Sequence, residues 1–175
     1  MLNYIHLDLE DIDGVAAALP GIKEKLGRRL DALVSNASIS PKTEDGCRLS
    51  VLNTDYVTWL RVFNVNLFAT AMLAQGLFNE LRTEVGSIIN VTSIAGSRVH
   101  PFAGVAYATS KAALSALMRE MAFDFGHHGI RVNAIAPGEI RYCYFVPRYA
   151  GHHRAASSSA EAGPTGGGGL ADLLP

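Results

Sequence analysis

Cysteine is almost absent from this sequence: Cys47 and Cys143 stand far apart, in no metal-type spacing. That excludes a disulfide-stapled scaffold and a thiolate zinc site as organising elements, and two isolated thiols read as reduced, which points to the cytoplasm. Charge of one sign is equally scarce. The formal net charge is -1, and no cluster of Lys and Arg provides an electrostatic footprint for nucleic acid or an anionic membrane. Asp8 and Glu10 interrupt the N-terminus before any apolar stretch suited to a signal peptide, and no apolar run is expected to reach membrane-span length. His6, His100, His127, His128, His152 and His153 lack supporting carboxylates or cysteines at ligand spacing, so no metal is assigned. No serine lies in a Gly-X-Ser-X-Gly elbow, which argues against nucleophilic hydrolysis. Small-molecule chemistry of another kind remains open.

What is present is a strand-helix alternation. With 49% hydrophobic and 18% charged residues, the chain can bury a real core in one domain. Short runs rich in Val, Ile and Leu predict strands over Tyr4 to Leu9, Ala32 to Ser35, Ser87 to Thr92 and Arg131 to Ala136, each apolar enough to be covered on both faces. Helical periodicity runs from Asp11 to Leu30 with an interruption at Pro20 and Gly21, from Asp55 to Thr83 after a cap at Thr54 or Asp55, and from Gly104 to Gly126. The expected class is α/β: a partial Rossmann-like, doubly wound parallel sheet lacking its first strands, spanning residues 1–140. The chain opens almost directly in a strand, with no Gly-rich turn to seat a pyrophosphate, so an upstream segment is expected to be missing. Residues 141–175, with their serine and glycine runs, are expected to form an irregular tail.

Tyr107 and Lys111 are four positions apart at the start of a helix and share a face. A phenol is a poor acid-base group at neutral pH unless a neighbouring ammonium stabilises its phenolate, and Lys111 supplies that charge. Taken alone the spacing is a weak signal, because a Tyr and a Lys four apart occur often by chance on a solvated helix face. Ser93 follows the strand at Ser87 to Thr92, at the carboxyl end where parallel sheets place ligands; it could hold a substrate carbonyl or merely bond local backbone. Asn66 sits mid-helix, where Asn has poor propensity. An interhelical hydrogen bond and a water-holding catalytic role both remain open for it. Trp59 and the nearby Phe residues read as packing.

Asn66, Ser93 and Tyr-Ala-Thr-Ser-Lys at 107–111 together resemble the Asn-Ser-Tyr-Lys tetrad of the short-chain dehydrogenase/reductase family. Further motifs occur in the family's order: His-Leu-Asp-Leu at 6–9, Ser-Asn-Ala-Ser at 35–38, Asn-Val-Asn-Leu at 64–67, Ile-Asn-Val-Thr-Ser-Ile-Ala-Gly at 89–96 and Arg-Val-Asn-Ala-Ile-Ala-Pro-Gly at 131–138. The resemblance covers residues 1–140 and is to the classical branch, which includes reductases similar to bacterial 3-oxoacyl carrier-protein reductases. It implies reversible hydride transfer between the nicotinamide of NAD or NADP and a small-molecule carbonyl or alcohol. By the same resemblance Tyr107 would protonate the carbonyl oxygen, Ser93 would hydrogen-bond it, and Lys111 would bind the nicotinamide ribose and lower the pKa of Tyr107. Asn66 would kink its helix and hold a relay water. Asp8 and Leu9 would meet the adenine, Asn36 and Ala37 would line the cofactor cleft, and Pro137, Gly138 and Ile140 would border the nicotinamide. The helices at 55–83 and 104–126 would form a homo-oligomer interface.

Three departures accompany the matches. Ser38 replaces the family's glycine in Asn-Asn-Ala-Gly, putting a side chain where least bulk is usual. The missing Gly-rich loop is expected to weaken cofactor binding, and a non-catalytic remnant that acts at most as an interaction module is the rival reading. The abrupt change after Ile140, with loss of the family's Thr in Pro-Gly-X-Ile-X-Thr, predicts a frameshift. Reading one base later through Arg141 to Tyr149 permits Asp-Thr-Ala-Ile-Leu-Ser-Pro-Gly, and sequencing the gene decides the matter.

Overall fold

The computed structural model of the chain describes residues 4–138. Its centre is a three-stranded parallel sheet of β1 (Ala32–Ser35), β2 (Ser87–Val91) and β3 (Arg131–Ile135), in the order β1-β2-β3. The register pairs Ala32 with Ser87 and Ser87 with Arg131, so the carboxyl ends of all three strands emerge together. Parallel neighbours need crossover connections, and the helices supply them. Between β1 and β2 the chain forms α2 (Tyr56–Phe63), a π-helical turn (Asn64–Phe68), α3 (Ala69–Gly76) and α4 (Phe78–Thr83). Between β2 and β3 it forms a short 3₁₀ turn (Ile94–Gly96) and α5 (Val105–Gly126).

Ile88 of β2 lies in a core with Ala74, Leu81, Met121 and Ile130, flanked by Leu33, Phe78, Phe125 and Val132. The helices thus cover the face carrying Leu33, Ile88 and Val132. On the opposite face Val34 and Ile135 are 57% and 55% exposed, so the expectation of cover on both faces is met on one face among the described residues. The Rossmann-like α/β class stands: a parallel sheet with helical crossovers.

Local chemistry explains the boundaries. Asp11 caps α1 (Ile12–Lys25) by accepting from the Gly14 N–H at 2.9 Å, and Asp55 caps α2 by accepting from the Thr58 N–H at 2.7 Å. The Thr58 N–H also holds the Asp55 carboxyl below its ordinary pKa. α1 passes through Pro20 without a break, contrary to the interruption expected there: Ala16 and Pro20 are both exposed, so the carbonyl deprived of its partner faces water. It ends where Gly27 turns to φ +61°, sooner than the expected Leu30.

Three further expectations are corrected. Tyr4 to Leu9 is not a strand; none of its backbone groups enters a ladder among the described residues, and apolar alternation makes a strand only when a neighbour takes its hydrogen bonds. Asp55 to Thr83 is not one α-helix, because the π turn widens it at Asn64–Phe68 and the chain breaks at Leu77. The uninterrupted part, Tyr56–Gly76, has 21 residues with mean hydropathy 1.3, which does reach membrane-span length, contrary to expectation. It carries Arg61, paired with Glu10 at 2.5 Å, and the buried Asn66, and it packs against α1 and α5. Ile140 and the whole 141–175 segment, with Cys143 and the frameshift reading, lie outside the described residues.

Candidate active site

The carboxyl end of the sheet is where the predicted residues converge. Beyond β2, the Thr92 N–H and hydroxyl both donate to the Ile135 carbonyl, at 2.8 and 2.9 Å, and the Ile94 N–H donates to the Pro137 carbonyl at 3.2 Å. These bonds lash the exit of β3 to the exit of β2 and bring Pro137 and Gly138 beside Ser93. A cleft of about 350 Å³ opens there, lined by Ser93, Tyr107, Pro137 and Gly138 among others. That is near the lower end of the range for small-ligand pockets, about 300–1,000 Å³.

Ser93 caps the 3₁₀ turn, its hydroxyl oxygen accepting from the Ala95 N–H at 3.2 Å. The local backbone bond foreseen for it therefore exists, and the same side chain still faces the cleft. Gly96 ends that turn against α5: a Cβ there would lie 2.8 Å from the Ala112 nitrogen and from the Lys111 carbonyl carbon. Only a glycine permits this approach, and it fixes the distance between Ser93 and the helix that carries Tyr107.

Tyr107 and Lys111 occupy consecutive turns of α5. Lys111 is 2% exposed, and its ammonium donates to the Val91 carbonyl at 2.8 Å and stands 5.7 Å from the centre of the Tyr107 ring. Burial pushes the Lys111 pKa below its ordinary value. A buried cation fixed beneath the tyrosine sets a positive potential along the face the two residues share.

Asn66 is 1% exposed and sits inside the π turn, where the α-helical bonding of this stretch is interrupted. Its side chain makes three hydrogen bonds: Oδ1 accepts from the Ile39 N–H at 2.8 Å, and Nδ2 donates to the Ile39 carbonyl at 3.0 Å and to the Ser110 hydroxyl at 3.0 Å. Ser110 in turn donates to the Tyr107 carbonyl at 2.8 Å. The amide thus clamps the loop after β1 to the helix bearing Tyr107, and each of its polar atoms has a protein partner. Ser110 was not foreseen, although its place inside Tyr-Ala-Thr-Ser-Lys offered a signal.

A second, smaller cleft of about 90 Å³ lies beside the end of β1 and gathers Leu9, Asn36 and Ala37. Asp8 is not among the residues lining that cleft; its carboxylate accepts from the Glu10 N–H at 2.9 Å. Asn36, Ala37 and Ser38 are exposed at the carboxyl end of β1, and the Ser38 side chain opens into the larger cleft rather than into packed structure. Ser40, Lys42 and His100 also line that cleft and were not singled out in the sequence. Among the described residues no group of His, Cys, Asp and Glu could hold a metal. Both clefts draw on the chain at and beyond the carboxyl end of β1, the end at which parallel sheets of this kind receive ligands.

Known proteins with the same pattern are numerous. "Protein FixR" of Bradyrhizobium diazoefficiens is 60% identical over 140 residues, 79% of this chain and 50% of FixR. A crystal structure of an oxidoreductase of the short chain dehydrogenase/reductase family from Brucella ovis, in complex with partially ordered NAD, is 59% identical with a TM-score of 0.75, covering 78% of this chain and 63% of that one. A 3-oxoacyl-[acyl-carrier protein] reductase with bound NAD from Brucella melitensis is 34% identical with a TM-score of 0.68, over 77% of this chain and 50% of that one. The chain spans about half the length of the curated relatives it matches. Since residues 1–145 match the family model described as short chain dehydrogenase, the chain belongs to the short-chain dehydrogenase family.

Proposed function

We propose that the chain is an NAD- or NADP-dependent oxidoreductase that interconverts a small-molecule carbonyl and alcohol, with Asn66, Ser93, Tyr107 and Lys111 as its machinery. The observation that carries this reading is the shared cleft: Ser93 and Tyr107 line one cavity with Pro137 and Gly138, and Lys111 is buried beneath the same helix face. When bound, the nicotinamide cofactor supplies or accepts the hydride. In the reducing direction the Tyr107 hydroxyl gives its proton to the substrate oxygen and the Ser93 hydroxyl donates a hydrogen bond to the same oxygen. The Lys111 ammonium favours the phenolate that Tyr107 leaves behind. Asn66 contributes by position, since its bonds to Ile39 and Ser110 hold the cleft wall against α5. Pro137 and Gly138 border the nicotinamide, Asn36 and Ala37 line the cofactor's path, and Leu9 with Asp8 receives the adenine end, a placement supported by the smaller cleft.

The reading extends to assembly. Tyr56, Val57 and Phe123 are largely exposed, and Tyr56, Trp59, Leu60, Phe63 and Phe68 enclose an apolar groove on the helix of residues 56–68. Such a face is suited to a second copy of the chain. It is also what the rival reading, a non-catalytic interaction module, would use.

Titrating the purified chain with NADH and NADPH and following nicotinamide fluorescence tests the proposal. Saturable binding, with carbonyl reduction abolished by Tyr107→Phe in a folded variant, is the expected result. No saturable signal with either cofactor would favour the interaction module, and unchanged turnover in Tyr107→Phe would refute the assigned acid.

A further inference from the structure

The cleft has a wall that hydride transfer does not require. Ser38, Ser40 and Lys42 alternate along the loop that follows β1, and all three residues line the cleft. In extended chain every second side chain faces the same way. The stretch is secured along its length: the Asn66 amide grips both backbone groups of Ile39, and an isolated antiparallel bridge pairs Lys42 with Arg48. The Lys42 ammonium, exposed at the rim, donates to the Phe102 carbonyl.

The charge balance of this wall is one-sided. His100 also lines the cleft, and its Nδ1 accepts from the Phe102 N–H at 3.3 Å, which assigns the ring proton of a neutral imidazole to Nε2 as a donor. Arg48 stands across the bridge as a further cation. The acidic groups of the same hairpin are Glu44 and Asp45, and Asp45 is taken up by the Thr43 hydroxyl and the Cys47 N–H. No Asp or Glu lines the cleft, and no ion pair joins Lys42 to a carboxylate, among the described residues. Partial burial and the proximity of Arg48 both push the Lys42 pKa down, the direction left by a cation without a counter-charge. The floor beside this wall is apolar, with Ile94, Ala95 and Ala103. Hydroxyls, an imidazole N–H and an ammonium, with no acceptor of full charge, describe a receptor for an anion.

We propose that the cleft takes a small oxo or hydroxy acid, its carboxylate received by Lys42 with the Ser38 and Ser40 hydroxyls and its reacting oxygen held at Ser93 and Tyr107. The placement of the reacting oxygen rests on the oxidoreductase reading, and the carboxylate seat rests on the cleft wall alone. It gives Ser38 a role: the position that departs from the family's glycine contributes a hydroxyl to the carboxylate seat. A neutral ketone of the same shape would leave Lys42 with its backbone carbonyl and gain little.

Acetoacetate and its neutral amide, acetoacetamide, are matched probes. Nuclear magnetic resonance titration of the full chain reads their binding without any turnover. Acetoacetate should bind about tenfold more tightly than the amide, the order expected of a charge-assisted hydrogen bond discounted for an exposed rim. In Lys42→Met, which keeps the aliphatic stem, the two should bind alike. Equal affinity of the wild type for both probes, no saturable acetoacetate binding, or a preference that survives in Lys42→Met overturns the proposal. Reduction of neutral diacetyl, assayed with both NADH and NADPH, reports separately on hydride transfer. Its absence beside a Lys42-dependent preference would remove the oxidoreductase reading and leave the anion site standing.

Discussion

Replacing Asn66 probes the element that joins fold to site. Its three hydrogen bonds end on the Ile39 N–H, the Ile39 carbonyl and the Ser110 hydroxyl, in a position 1% exposed. A typical net contribution is roughly 1 kcal/mol per bond, and partners left unsatisfied in a buried place add to the loss, so Asn66→Ala should cost about 3–4 kcal/mol. With a urea dependence of roughly 2 kcal/mol per molar, the unfolding midpoint should fall by about 1.5–2 M. Asn66→Asp separates shape from bonding. It keeps the volume and the acceptor for the Ile39 N–H but loses both donors, and it sets a carboxylate against the Ile39 carbonyl. Ser110 cannot rescue it, because its hydroxyl proton is already donated to the Tyr107 carbonyl at 2.8 Å. The Asp variant should therefore be destabilised at least as much as the Ala variant. A loss below about 0.5 kcal/mol for both would refute the clamp and return Asn66 to a role exercised only through water or substrate.

Four other outcomes follow from the structure. Burial holds the pKa of Lys111 below its ordinary 10.5, so the unfolded chain binds that proton more tightly; the burial penalty is present near neutral pH and is relieved as pH climbs through the folded pKa towards 10.5. The stability of the wild type measured against Lys111→Met should rise over that window, and a flat difference in urea midpoints would contradict the assignment. Gly96→Ala puts a Cβ 2.8 Å from backbone atoms of α5 and should cost roughly 1–3 kcal/mol or more, seen as a Tm lower by several degrees. Gly21→Ala, with open space around its Cβ in α1, should be neutral or stabilising by up to about 1 kcal/mol in the same assay. Leu60→Glu places a charge in the apolar groove of α2 and should shift sedimentation towards the monomer; an unchanged distribution would remove that face from the assembly.

The strands were legible because each is a short run of branched apolar residues, and their pairing in parallel followed from the helical stretches between them. The site was legible in part. Ser93 and Tyr107 line one cleft with Pro137 and Gly138, while Lys111 lies buried one turn further along the same helix as Tyr107. Asn66, marked by its poor helix propensity, falls inside the π turn, but no pattern in the sequence says that its amide would reach a backbone 27 residues away. The Tyr4 to Leu9 segment failed for the converse reason, since alternation records which side chains are apolar and says nothing of a neighbour for the backbone.

What the sequence determined by itself is local: propensities, caps at Asp11 and Asp55, and the one-face placement of residues four apart on a helix. These depend on a few consecutive residues and on steric rules that hold in any context. What only the tertiary structure decided is convergence. The backbone approach at Gly96, the anchoring of Lys111 to the Val91 carbonyl and the meeting of Lys42 with Tyr107 across one cleft bring together groups from different elements of the fold. Such distances are set by how helices and strands pack, a sum of many contacts that no single stretch of sequence encodes.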